Sequence, residues 1–401
     1  MSGKRATMFK TAPISAASQS DVTEQMAARL KIALATHLAQ VYAPDQRKSL
    51  RLFSATETSE LLGVSGQFLR KCHSEGTLVE PVVNTGGRRS YSGDEIWAMR
   101  QALEVGSRSV GKYVPGRRKG DKLQVVQLMN FKGGSAKSTA TIHLCHYLCL
   151  SGYRVLAVDL DPQGSLTGFC GLQTELEFDG LTIYDALRYE DPLPLSDVII
   201  DTYFPGLDLA PARLILSEFE TETAVNAGRG AAFFERLSNA IAPIEDNYDV
   251  VIIDSPPALG FLTLTGLFAA TSVLVPMTPS MLDLASTQQF IEMTSAYLGV
   301  IEDTGVRIDH DFFSFLITRD DPSDIPSQQI VSLMRALFQE RIIPSTALRS
   351  TAVGDASMLK MSIYEVARSD MTRSTYDRAR KSMDAVGSDV ADLVQQAWGR
   401  I

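Results

Sequence analysis

Leu128–Leu144 reads LMNFKGGSAKSTATIHL. A short apolar run, Leu123–Met129, leads into this stretch, and a helix-like segment follows it. Strand, glycine-containing loop, then helix is the context in which a loop cradles phosphate. Gly133 and Gly134 let the chain turn so that successive N–H groups converge on phosphate oxygens. The helix start adds the positive end of its dipole. Lys137 and Ser138 close the loop, where a lysine neutralises β- and γ-phosphates and a hydroxyl reaches Mg²⁺. Two positions depart from the usual G-x-x-x-x-G-K-[ST] pattern. Ala136 stands where a glycine is expected, and a second lysine, Lys132, precedes Lys137. The expected nucleotide contacts here are Lys132, Gly133, Gly134, Ser135, Ala136, Lys137, Ser138 and Thr139.

Further strand candidates are Arg154–Asp159, Val250–Asp254, Ser272–Met277 and Phe312–Ile317, with helix-like segments between them. Alternation of this kind predicts an α/β fold: a mostly parallel sheet with helices on both faces. Two of these strands end in carboxylates. RVLAVDLDPQGSLTG carries Asp159 and Asp161, and YDVVIIDSPPALG carries Asp254. An apolar strand with a terminal aspartate is the layout that holds Mg²⁺ through water, which assigns the metal to Ser138 and Asp254. Asp161 lies just past its strand, where a carboxylate can position an attacking water.

The chain has 401 residues, 45% hydrophobic and 21% charged, the composition of an ordinary soluble protein. Its four cysteines are too few and scattered for a disulfide framework, and a reducing cytosol is expected. The uncharged run Leu259–Met277 contains Gly260, Gly266 and Pro276 and reads as a helix followed by a buried strand, so no membrane partner is expected. Residues 1–120 carry 18 Lys and Arg against 10 Asp and Glu, whereas the remainder carries 20 against 37. A basic front end on an acidic body points to nucleic acid.

The periodicity divides the chain into a tail and helix over 1–48, a compact unit over 49–103, a linker over 104–122 and the main domain over 123–401. The helix, Asp21 to about Val41, is a candidate contact between copies. In the second unit, Ser54 and Glu57 form a capping box for a short helix, and Ser65 caps the next. Two short helices around a glycine turn predict a helix-turn-helix. Its second helix would offer Ser65, Gln67, Arg70 and Lys71 to a major groove. VVNTGGRRSYS follows as a hairpin that sets Arg88 and Arg89 near backbone phosphates. The segments SELLGVS, EGTL and RRSY in this order resemble the winged helix-turn-helix of MerR-type regulators.

The main domain resembles the deviant Walker A ATPases of the ParA/MinD class over about 123–380. The resemblance rests on KGGSAKS, DLDPQ and the DSPP run. The front unit, LDPQGSLT and SIYE (Ser362–Glu365) are similar to the long, plasmid-type ParA partition proteins, a group that includes RepA of repABC plasmids. The resemblance implies a Mg²⁺-dependent ATPase that forms a homodimer around two ATP molecules. It also implies that Lys132 reaches the partner's phosphates and that Asp161 assists hydrolysis. Two facing triphosphates repel, so a lysine from each subunit makes closure depend on ATP.

The implied partners are operator DNA, non-specific DNA and a ParB-like centromere-binding protein, in a bacterial cytoplasm on the nucleoid. The front unit would repress its own operon. Bulk-DNA candidates are Arg349, Lys360 and Arg368, and adenine contacts are expected at Thr318, Arg319 and near Pro344. A different reading is a transcriptional repressor in which nucleotide is only a ligand switch.

His143, Cys145, His146 and Cys149 crowd the helix after the loop and invite a zinc reading, but that helix should pack on the sheet. Cys170 alone is poor support for an iron–sulfur role like that of the nitrogenase iron protein. The end SDVADLVQQAWGRI lacks the basic face of a membrane-targeting helix.

Overall fold

The structure, a computed structural model, describes residues 18–41, 48–78, 82–83, 87, 89–172, 178–226, 232–303 and 305–401. The strand candidates of the main domain all form strands. They are β4 (Gln124–Leu128), β5 (Val155–Asp159), β8 (Val250–Asp254), β9 (Ser272–Met277) and β10 (Phe312–Asp320). Three short strands join them: β6 (Ile200–Asp201), β7 (Leu207–Ala210) and β11 (Ala347–Leu348). The sheet order is β11-β10-β9-β4-β8-β5-β7-β6, parallel throughout except for the β6–β7 pair. Every residue of β4, β5, β8 and β9 is buried, as expected for central parallel strands covered on both faces. The uncharged run becomes a helix, Phe261–Ala269, followed by β9. Among the described residues, no helix is long and apolar enough to cross a membrane.

The chain divides into two compact units, Met1–Arg47 and Lys48–Ile401. Within the first, α1 spans Gln19–Val41, and its Met26, Leu30 and Ile32 are exposed.

The second unit begins with β1 (Phe53–Ser54), α2 (Ala55–Leu61) and α3 (Gly66–Ser74). Ser54 and Glu57 form the capping box, and Ser65 Oγ accepts from the Phe68 N–H at 3.1 Å. After these come β2 (Val82–Val83) and β3 (Arg89–Tyr91), antiparallel in the order β1-β3-β2 with Val83 opposite Arg89. The helix α4 spans Gly93–Val105. Arg88 and Gly86 lie outside the described residues.

The 104–122 segment is not a free linker. Glu104 accepts hydrogen bonds from the Tyr113 and Val114 N–H groups at 2.8 and 3.2 Å. The Arg117 N–H donates to Asp249 Oδ1 at 2.9 Å, and Arg400 pairs with Asp121. Gly116 passes so close to Asp249 that a Cβ would meet its carboxylate at 2.4 Å. Arg100 is buried and donates to the carbonyls of Tyr113, Leu61 and Leu150, tying α2, this segment and the helix α5 (Lys137–Ser151) together. Polar tethers of this kind leave no hydrophobic period, so the sequence reads as a linker. Phe53, Leu69, Tyr91, Ile96 and Met99 belong to the same core cluster as Leu148 of α5 and Val155 of β5.

Candidate nucleotide site

The loop between β4 and α5 is held from both sides. Asn130 Nδ2 donates to the Pro276 carbonyl at 2.8 Å, and the Lys132 N–H donates to Asn130 Oδ1 at 3.0 Å. On the far side, Thr318 Oγ1 donates to the Ser135 carbonyl at 3.0 Å. Gly133 and Gly134 are exposed, and Gly134 takes a φ of 83°. Lys137 is 7% exposed and folds back, with Nζ 3.4 Å from the Lys132 carbonyl. Burial lowers its pKa, while Asp254 and Asp161 oppose that shift. The loop thus presents N–H groups and one buried cation toward one small space, as phosphate requires.

Ala136 has φ 66° and ψ 30°, the left-handed region. For a non-glycine residue this costs ~1 kcal/mol or somewhat more. Glycine would relieve it but adds ~0.4–1 kcal/mol of unfolded-state entropy. Ala136→Gly should therefore change stability by less than about 1 kcal/mol, toward a higher melting temperature. Nucleotide titration of the variant should show ATP binding intact; loss of binding would contradict this account of the loop.

The carboxylates lie at the ends of adjacent strands, with Asp159 directly opposite Asp254. Both are fully buried, and burial pushes both carboxyls up out of the usual range. Asp159 has a structural task. It accepts from the Thr167 N–H and Oγ1 at 2.8 and 2.7 Å and from the Asp161 N–H at 3.1 Å. Asp254 differs. Thr141 Oγ1 donates to its Oδ1 at 3.1 Å, and the Ser138 hydroxyl also bonds to it. Its Oδ2 is buried without a hydrogen-bond partner among the described residues. An orphaned carboxylate oxygen beside the loop hydroxyl fits a hydrated divalent cation. Asp161 is 8% exposed, with burial raising its pKa and Lys137 opposing. It accepts from the Gln163 N–H at 2.9 Å.

Beside the loop lies a cavity of about 560 Å³, which Ala136 and Thr139 share with Thr318, Arg319, Arg349, Ser350 and Gly354. Its place next to the phosphate loop suits a nucleotide's base and sugar. Thr318 and Arg319 were expected here. Pro344 does not line it; its carbonyl accepts from Arg335 at 2.8 Å. Arg349, a bulk-DNA candidate, is exposed and also lines this cavity, where the chain turns from β11 into the 351–358 helix. Lys360 sits at a φ of 51°, its carbonyl accepting from Lys48 Nζ at 2.7 Å, and Arg368 pairs with Asp377 at 2.5 Å. Among the front residues, Ser65, Gln67, Arg70, Lys71 and Arg89 are exposed, while Leu69 and Cys72 hold α3 to the core. Gln67, Arg70 and Lys71 share one helical face.

Several contributors carried no motif: Asn130, Thr141, Ser350 and Asp283. Asp283 pairs with Lys132. The zinc reading fails on packing. Cys145 and Cys149 are buried in the core. His143 accepts from the Ile363 N–H at 3.1 Å, and His146 Nδ1 lies 2.7 Å from Ser362 Oγ. These histidines fasten the SIYE loop to α5, and burial lowers the pKa of His143 to about 4.

The family model described as "AAA domain" matches residues 123–300. The "Putative replication protein A" of Sinorhizobium fredii is 46% identical over 368 residues, covering 90% of each chain. The "Chromosome partitioning protein ParA" of Caulobacter vibrioides is 32% identical, over 58% of this chain and 84% of that protein. Among solved structures, one titled "Partition Protein" superposes with a TM-score of 0.66 at 19% identity, over 95% of this chain and 99% of that one, a likeness of fold. Cobyrinic acid a,c-diamide synthase of Mycobacterium smegmatis, solved with an ATP analog and magnesium, gives 0.50 at 29% identity, over 59% and 94%.

Proposed function

Because the chain belongs to the ParA-like family of plasmid partition ATPases, we propose that it hydrolyses ATP to move or position DNA. The observation that carries the reading is the loop at 130–139, where Lys137 is buried in the cradle and the separate Lys132 lies at its leading edge. ATP binds with its phosphates in this loop and its base in the cavity lined by Thr318, Arg319 and Arg349. Mg²⁺ supplies charge neutralisation of the phosphates, held by Ser138 and, through water, by Asp254. Asp161 orients the attacking water. Lys132 of each copy reaches the other copy's phosphates, so the homodimer closes only on ATP.

The exposed face of α3, with Gln67, Arg70 and Lys71, reads operator DNA, and Ser65, Arg88 and Arg89 contact backbone. Through these contacts the protein represses its own operon. ATP-bound dimers coat non-specific nucleoid DNA in the bacterial cytoplasm. A ParB-like centromere-bound partner stimulates hydrolysis and releases them.

The test is the ATPase rate of the full chain alone, with non-specific DNA, and with DNA plus the centromere-binding partner. Turnover should rise with the partner, and a DNA-bound layer should disperse. In Arg70→Ala, operator affinity should fall by about tenfold with the ATPase unchanged, since one base-reading contact contributes ~1–3 kcal/mol. Turnover indifferent to the partner, alongside intact ATP-dependent operator binding, would instead identify a nucleotide-switched repressor.

A further inference from the structure

Lys132 is not free in this structure. Its ammonium pairs with Asp283, in the first turn of the Met281–Glu302 helix that follows β9. The side chain of Lys132 is 30% exposed, whereas that of Asp283 is 5% exposed. Asp283 is itself fixed: Thr278 Oγ1 donates to its Oδ2, and its N–H donates to Ser280 Oγ at 3.1 Å. The same helix holds the loop a second time, through the Phe131 and Phe290 rings at 5.6 Å. The leading edge of the phosphate loop is therefore moored to one helix by a ring contact and an ion pair.

We propose that Asp283 is a positioning residue that holds Lys132 within its own subunit, so that ATP-driven closure must transfer this lysine from Asp283 to the partner's phosphates. The proposal rests on the reading that Lys132 acts across the dimer. The physical reason is the asymmetry of burial. A partly exposed lysine can leave, but the buried carboxylate it leaves behind has no other ion-pair partner among the described residues and is costly to leave unpaired. ADP, lacking the γ-phosphate, offers the lysine less in exchange. Asp283 would thereby set the threshold that keeps subunits apart until both carry a triphosphate. A dimer needs two such transfers, so any effect on one subunit is squared in the dimer dissociation constant.

Sedimentation of the full chain with Mg²⁺ and a non-hydrolysable ATP analogue tests this. Asp283→Asn keeps the shape and the Thr278 contact but removes the charge. Its dimer dissociation constant should fall by about tenfold, from roughly threefold per subunit. In a Lys132→Ala background the same substitution should have no effect on association, a dependence that a purely structural role would not show. Thr278→Val, which frees Asp283 from one anchor, should shift association the same way but less, and serves if Asp283→Asn melts early. Unchanged or weaker association of both variants overturns the proposal. If Lys132→Ala itself dimerises normally with the analogue, the trans-lysine reading fails; if it does not dimerise but both variants match the parent chain, only the role of Asp283 fails.

Discussion

In Lys132→Ala, ATP should drive dimerisation far more weakly, while each subunit should still bind nucleotide. A charge-assisted hydrogen bond contributes ~1.5–3 kcal/mol, and each closed dimer contains two, so the dimer dissociation constant in ATP should rise by ~100-fold or more. Nucleotide affinity should change little, because Lys137, Gly134 and the start of α5 remain to cradle the phosphates. Equilibrium sedimentation and nucleotide titration separate these effects. The substitution also leaves Asp283 buried without its cation, so the melting temperature should drop. An undiminished ATP-dependent dimer would mean that Lys132 does not face the partner.

Asp254→Asn should lower Mg²⁺-dependent ATP hydrolysis by about 100-fold, the scale on which a group that orients a metal acts. The amide keeps a contact for Thr141 but cannot balance the charge of the cation. The wild-type chain should also show a pH signature. Asp159 and Asp254 have pKa values raised by burial; the charge of Asp254 further opposes ionisation of Asp159, and that of Asp161 opposes ionisation of Asp254. The folded state thus holds protons that the unfolded chain releases from about pH 4 upward. Without nucleotide, stability should fall as pH rises from that value toward neutrality. Mg²⁺ with ATP should reverse part of the fall, since a cation favours the ionised Asp254. Thermal melts across pH, with and without Mg²⁺ and ATP, check both the sign and the rescue. In Asp254→Asn the pH-dependence should shrink; a wild-type stability that climbs through the same range would contradict the assignment.

Much of this was legible in the sequence because its causes are local. β8 and β9 follow from runs of buried apolar residues bounded by turns, and the helix caps at Ser54 and Ser65 follow from side chains that bond their own backbone neighbours. The strands β6, β7 and β11 were not legible. They are two to four residues long and owe their conformation to the neighbouring strand rather than to a pattern of their own.

By itself, the sequence determined the phosphate loop, the strand-end carboxylates and the alternating architecture, because spacing along the chain dictates where a strand ends and a helix begins. Tertiary structure alone decided the rest, through contacts between residues far apart in the chain. It separated Asp159, tied down by Thr167, from Asp254, whose second oxygen is left open. It brought Arg349 to the rim of the cavity beside the loop and bound the 104–122 segment to the main body through Asp249. It also placed Asp283, which no motif marks, against Lys132. A lysine one step outside the usual pattern is visible in the sequence; what holds it in place depends on packing between β4, β9 and the helix that follows.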